Sequence, residues 1–159
     1  MNDSNFRKAV VDDTPLILNF IKELATYEKM LNEVVADEAT LREWIFEKHG
    51  AEVIFALEEG KEVGFALYFF NFSTFVGRSG LYLEDLFVLP QYRGKGHGKG
   101  LLRTLAQIAV ERGCGRMEWV CLDWNRPSID FYLSLEAEPM QEWTIYRLAG
   151  RTLKQMAEA

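Results

Sequence analysis

Cysteine is scarce, with two in 159 residues. Cys114 and Cys121 bracket a stretch that reads as a strand, so at about 3.3 Å per residue they stand about 20 Å apart, beyond disulfide reach. Two reduced thiols with packing roles are expected. No apolar run reaches the roughly 18–20 residues that a membrane span needs. Met1-Asn2-Asp3-Ser4 lacks the basic-then-apolar order of a secretory leader, so a cytoplasmic protein without membrane attachment is expected. Basic residues are also short, at 18 Lys and Arg against 24 Asp and Glu, a net charge of −6. That balance argues against a nucleic-acid binder, which needs a basic face, and suits a cationic substrate. Linkers, repeats and low-complexity segments are missing too, so residues 1–159 read as a single domain. At 48% hydrophobic and 13% aromatic residues, the chain has enough apolar surface to fold around a core rather than stay disordered.

The two commonest phosphate loops are absent as well. A P-loop needs Ser or Thr after Gly-Lys, and here Gly98-Lys99 is followed by Gly100. The dinucleotide fingerprint G-x-G-x-x-G meets Lys99 or Leu101 where its last glycine belongs. What is present is an apolar strand with two adjacent carboxylates, Glu84 and Asp85, then a turn from Arg93 to Gly100 with glycine at 94, 96, 98 and 100. A helix follows, with Leu101, Leu102, Leu105, Ile108 and Ala109 on one face and Gly113 closing it. Bared N–H groups at such a helix start, with Arg93, Lys95 and Lys99 around them, favour an anion, and glycine lets a ligand come close. A flexible strand-to-helix turn without a ligand is the plain alternative.

Elsewhere, periodicity predicts a strand at Phe6–Val10 and a helix from Asp12-Asp13-Thr14-Pro15, with an acidic cap and apolar residues from Leu16 to Tyr27. A helix is expected over Glu38–Lys48 and strands over Val53–Leu57, Val63–Phe72, Gly80–Val88, Met117–Leu122 and Thr144–Leu148. A helix is expected over Pro127–Leu135. The order suits an α/β (α+β) domain, a mixed sheet flanked by helices.

Arg-x-x-Gly-x-Gly at Arg93, Gly96 and Gly98, directly after an apolar strand, resembles the pyrophosphate loop of the GCN5-related N-acetyltransferases (GNAT). The second constellation, Trp124-Asn125-Arg126-Pro127-Ser128-Ile129-Asp130-Phe131-Tyr132, narrows the likeness. With Tyr82-Leu83-Glu84-Asp85, Tyr92-Arg93-Gly94 and Ile21-Lys22-Glu23-Leu24-Ala25, it resembles the diamine (spermidine/spermine) branch, nearest its thialysine N-acetyltransferase members. The resemblance implies a mostly antiparallel sheet of about six to seven strands, about four helices and a cofactor cleft between splayed strands. It also implies acetyl-coenzyme A as cosubstrate, no metal, a small primary amine as acceptor, and a homodimer whose subunits both line each site.

Residue by residue, the resemblance places Glu84 beside the amine as general base and Tyr132 as the acid protonating the departing thiolate. Leu86, Phe87 and Val88 would pair with the pantetheine arm, and the Leu86 N–H would face the oxyanion. Arg93, Gly94, Lys95, Gly96, His97, Gly98 and Lys99 would take the pyrophosphate. Asn125, Pro127 and Ser128 would meet the cofactor where a helix starts, and Tyr132 lies two turns along the same helix face, about 10 Å on. Tyr27, Glu28 and Glu142 would border the amine. Strand alternation sends Glu84 and Asp85 to opposite faces, which leaves Asp85 for a structural ion pair. Two departures stand out. Glu136-Ala137 replaces the family's Gly-Ala step, so a changed turn is expected. Ser73 stands where polyamine-acting members have an aspartate, which points to a shorter acceptor. Acetylation of a protein N-terminus or lysine, or a non-catalytic acyl-coenzyme A sensor, remain open alternatives.

Overall fold

Alternating apolar residues build a sheet in the order β1 (Phe6–Lys8), β2 (Glu52–Glu58), β3 (Lys61–Ser73), β4 (Arg78–Val88) and β5 (Met117–Glu118). The computed structural model describes residues 5–159, so Met1-Asn2-Asp3-Ser4, read above for a leader, lies outside the described residues. The described residues form two compact units, one ending at Val120 and one running Cys121–Ala159. Among them no helix is long and apolar enough to cross a membrane, and no disulfide involves Cys114 or Cys121.

In the first unit, β1 to β4 pair antiparallel, while β5 pairs parallel with β4. The β2–β3 turn puts Glu59 at φ 50° and Gly60 at φ 77°. Two left-handed residues give the turn whose twist matches its strands. α1 (Thr14–Tyr27) has Pro15 in its first turn and buries Ile17 and Phe20. The Phe20 ring stacks on Phe65 at 5.2 Å and tilts against Phe55 at 5.9 Å. These rings, with Val53, Leu67, Phe87 and Ile45, form the core under α1.

The acidic cap expected at Asp12-Asp13 is not found. Asp13 makes no side-chain cap bond. Its carboxylate instead takes two N–H groups from Arg7, at 2.7 and 2.9 Å, and the Val10 N–H at 2.8 Å. Arg7 also reaches Glu62 at 2.7 Å, joining β1, the start of α1 and β3. A charge-assisted pair of bonds outweighs one bond to a helix N–H.

α2 (Glu38–Leu41) is capped by Asp37, which accepts from the Thr40 N–H at 2.8 Å, and it widens into a π-helical turn at Arg42–Glu47. α3 (His97–Glu111) buries Gly100, Leu101, Leu102, Leu105 and Ala109. The second unit holds α4 (Arg126–Ser134) and α5 (Gly150–Glu158).

Three expectations fail. The strand at Met117–Leu122 is only Met117–Glu118, and Thr144–Leu148 forms no strand. The sheet therefore has five strands among the described residues, not six to seven. Strand preference reflects fit to a pleated, half-buried surface, and Ile145 and Tyr146 stay exposed without a paired neighbour. α5 was not anticipated, because its apolar residues are only Leu153 and Met156 among polar and small ones. Third, the turn after α4 closes as a glycine would close it, with Glu136 in that place. Glu136 sits at φ 63°, the left-handed conformation that suits glycine. Its N–H donates to the Leu133 carbonyl at 3.0 Å, and the Ala137 N–H to the Tyr132 carbonyl at 3.2 Å. That is a Schellman closure, kept here at a backbone cost of about 1 kcal/mol.

Candidate active site

A β-bulge organises the acidic end of β4. Leu67 faces Asp85 and Tyr68 faces Leu83, so Glu84 is an extra residue with no partner on β3. A bulge bends the strand and re-aims its side chains. Strict alternation fails there, and Glu84 and Asp85 border the same cavity rather than opposite faces of the sheet.

That cavity, of about 350 Å³, is lined on the α1 side by Ile21, Leu24, Ala25 and Glu28, then by Met30, Glu33 and Val34. Apolar walls with four carboxylates suit an acceptor with a hydrocarbon body and cationic ends. The ion pair expected for Asp85 is absent. Burial pushes its carboxyl up to about 7, and the charges of Glu84 and Glu28 add to the rise. Among the described residues no cation offsets them. Glu28 is also raised, by burial. Asp85, Glu33, Met30 and Val34 were missed as cavity residues. The adjacency of Glu84 and Asp85 was visible, but the bulge that aligns them was not.

β5 pairs with β4 only at Leu81 and Tyr82. From Leu83 to Val88 that edge of β4 has no strand neighbour among the described residues, which leaves a splayed edge where an extended ligand can add as a strand. Just beyond it, Gly94 has φ 76° and Gly96, at the N-cap of α3, φ 87°. A side chain at either position would be strained. Gly98 lies over the end of β4: a Cβ there would stand 4.0 Å from Leu86 Cδ2 and Val88 Cγ2. Lys95 Nζ reaches Glu58 Oε1 and Oε2 at 3.1 and 3.2 Å, and His97 Nε2 lies 3.5 Å from Oε1. Arg93 is engaged differently. Its Nε–H donates to the Val88 carbonyl, and its guanidinium lies over Tyr27 and Phe87.

In the second unit, Asn125 is buried and caps α4, its side-chain oxygen accepting from the Ser128 N–H at 3.4 Å, with Pro127 in the first turn. Tyr132 is half-buried beside Phe131, ring centroids 5.6 Å apart. Glu142 is exposed in the irregular stretch before α5. Ser73 is buried, and its hydroxyl accepts from the Val76 N–H at 3.2 Å, which commits it to the β3–β4 turn.

Residues 19–136 match the acetyltransferase (GNAT) family. The chain belongs to that family. It is 36% identical to the thialysine N-epsilon-acetyltransferase of Bos taurus, over 95% of both chains. It is 30% identical to an L-ornithine N5-acetyltransferase of Arabidopsis thaliana, over 95% of this chain and 86% of that one. An integron cassette protein from the mobile metagenome of V. cholerae has the same fold, with a TM-score of 0.80 and 32% identity over 97% of both chains. The resemblance read from the glycine loop and the Asn125 motif therefore holds, and the protein is a GNAT acetyltransferase.

Proposed function

We propose that the protein transfers the acetyl group of acetyl-coenzyme A to a primary amine of a small cationic acceptor, of the thialysine or short-diamine type. The observation that supports it best is the cavity bordered by Glu28, Glu33, Glu84 and Asp85. A pocket of about 350 Å³ admits a small molecule and is narrow for a folded polypeptide end. The thialysine and ornithine acetyltransferases among its relatives point the same way.

Acetyl-coenzyme A supplies the activated thioester. The free edge of β4 at Leu86, Phe87 and Val88 suits its pantetheine arm, and Gly94, Lys95, Gly96, His97, Gly98 and Lys99 suit its pyrophosphate, with glycine φ values and helix-start N–H groups that fit an anion. Asn125, Pro127 and Ser128 complete the cofactor side in this reading. The amine, protonated in water with a pKa near 10, must lose a proton before attack. The Glu84–Asp85 pair accepts it. A carboxyl near 7 is a better proton acceptor at neutral pH than an ordinary carboxylate. The nitrogen lone pair then bonds to the thioester carbon, and the Leu86 N–H is the donor assigned to the oxyanion. The C–S bond breaks, the sulfur takes a proton from the Tyr132 hydroxyl, and the nitrogen gives up its second proton, which returns to the phenolate through solvent, leaving an amide and a thiol. Tyr27, Glu28 and Glu142 border the acceptor. The family match runs across the boundary between the two units, which supports their acting as one domain. A cytoplasmic homodimer, as the resemblance implies, completes the proposal.

The test is thiol release from acetyl-coenzyme A against thialysine, lysine, putrescine, spermidine, spermine and a basic peptide. Preference for thialysine or a short diamine supports the reading. Preference for the peptide supports the protein-acetylating alternative, and coenzyme binding without turnover on any amine supports a sensor.

A further inference from the structure

Arg93 opens the glycine loop, yet its side chain points back along β4. It follows the single 3-10 turn Pro90–Tyr92. Its Nε–H donates to the Val88 carbonyl at 2.9 Å. The guanidinium then lies 4.9 Å from the Tyr27 ring centroid and 5.0 Å from that of Phe87. The two rings are 6.1 Å apart and tilted by 53°. A planar cation over two aromatic faces is a favourable arrangement that a lysine ammonium cannot reproduce while donating in the guanidinium plane. Tyr27 is the last residue of α1, and Glu28 of the cavity follows it. Phe87 and Val88 lie on β4 just past Glu84 and Asp85. Arg93 thus bridges the two elements that bring carboxylates to the cavity from opposite sides.

We propose that Arg93 is a positioning residue of the amine site: stacked on Tyr27 and Phe87 and bonded to the Val88 carbonyl, it sets the span between Glu28 at the end of α1 and the Glu84–Asp85 pair on β4. A span matters most to an acceptor with two cationic ends, since both must meet carboxylate at once. A monoamine needs only one end.

The inference rests on the functional reading above, and its test separates the two. Arg93→Met and Arg93→Lys are made in the full chain. The measurements are KM and kcat for a short diamine and for a monoamine of equal length, calorimetric binding of coenzyme A, and thermal unfolding. Arg93→Met is expected to raise the diamine KM about tenfold, which is about 1.4 kcal/mol. The monoamine KM changes far less, so the diamine-to-monoamine KM ratio rises, and any loss of coenzyme A affinity or of melting temperature acts on both amines alike and drops out of that ratio. Arg93→Lys restores part of the loss. A role confined to phosphate would instead weaken coenzyme A binding and leave the diamine-to-monoamine ratio unchanged, and that result overturns the proposal. So does an unaltered KM for both amines. Failure of the wild-type protein to acetylate any amine removes the functional reading and this inference with it, whereas the other two results remove the inference alone.

Discussion

Replacing Asp85 with asparagine is expected to stabilise the protein at pH 8 while removing most of its activity. Folding raises this carboxyl from 3.8 to about 7, through burial first and then through Glu84 and Glu28. The folded chain therefore holds a proton that the unfolded chain has already released between those two values. Stability falls as pH rises through that window, and the loss is complete above about 7. At 1.36 kcal/mol per pH unit the cost is at most about 4 kcal/mol. Water reaching an open cavity and relaxation of the carboxylates bring the expected figure to about 2 kcal/mol. Asparagine keeps the shape and never ionises. Urea unfolding of wild type and Asp85→Asn at pH 4, 6 and 8 should show little difference at the lowest pH and a gap that widens with pH in favour of the variant. The rate should respond in the opposite sense. Wild-type kcat/KM should rise with pH around an apparent midpoint near 7, and Asp85→Asn should lose that rise with a drop of about a hundredfold or more. A stability gap that stays constant from pH 4 to 8 would refute the claim that the fold holds this carboxyl protonated. An unchanged rate profile would remove Asp85 from the proton path.

Three further outcomes are expected. Tyr132→Phe should lower kcat about a hundredfold or more with coenzyme A affinity unchanged in calorimetry, since only the proton donor is lost. Glu136→Gly should raise stability by about 0.5–1 kcal/mol in urea unfolding, because glycine takes the left-handed φ of 63° without the Cβ penalty. Glu58→Gln should tighten coenzyme A binding at low salt, because Glu58 holds Lys95 at 3.1 Å and so competes with phosphate for it. Weaker binding would mean that Glu58 organises the loop instead.

The parts of the fold that were legible are those whose signal is local and repeated. α1 and α3 have apolar residues at helical spacing over four turns, and both boundaries were marked, by Pro15 at one start and Gly113 after the other end. The glycine loop was legible for the same reason: a left-handed N-cap after a strand needs glycine, so the residue type reports the backbone. Glu136 shows the limit of that inference. The absence of glycine predicts a different turn, yet two closing bonds to Leu133 and Tyr132 hold a glutamate in glycine's conformation. A glycine reports positive φ, but its absence does not report negative φ when the closure is strong enough.

The acidic site failed to read for a related reason. Alternation assumes that every residue of a strand has a partner, and Glu84 has none. One unpaired residue on β4 takes Asp85 out of an expected ion pair and into the cavity, where burial, with the charges of Glu84 and Glu28, raises it to about 7. The chemistry proposed for this site therefore depends on a backbone irregularity at least as much as on the identity of the carboxylates. Arg93 follows the same logic. Its motif names a charge after a strand, but whether that charge meets a phosphate or a pair of rings depends on where the Val88 carbonyl and the Tyr27 ring stand, and both are set by elements distant in sequence. Residue type limits what a position can do, while the bulge and the ring stack decide which of those options the amine meets.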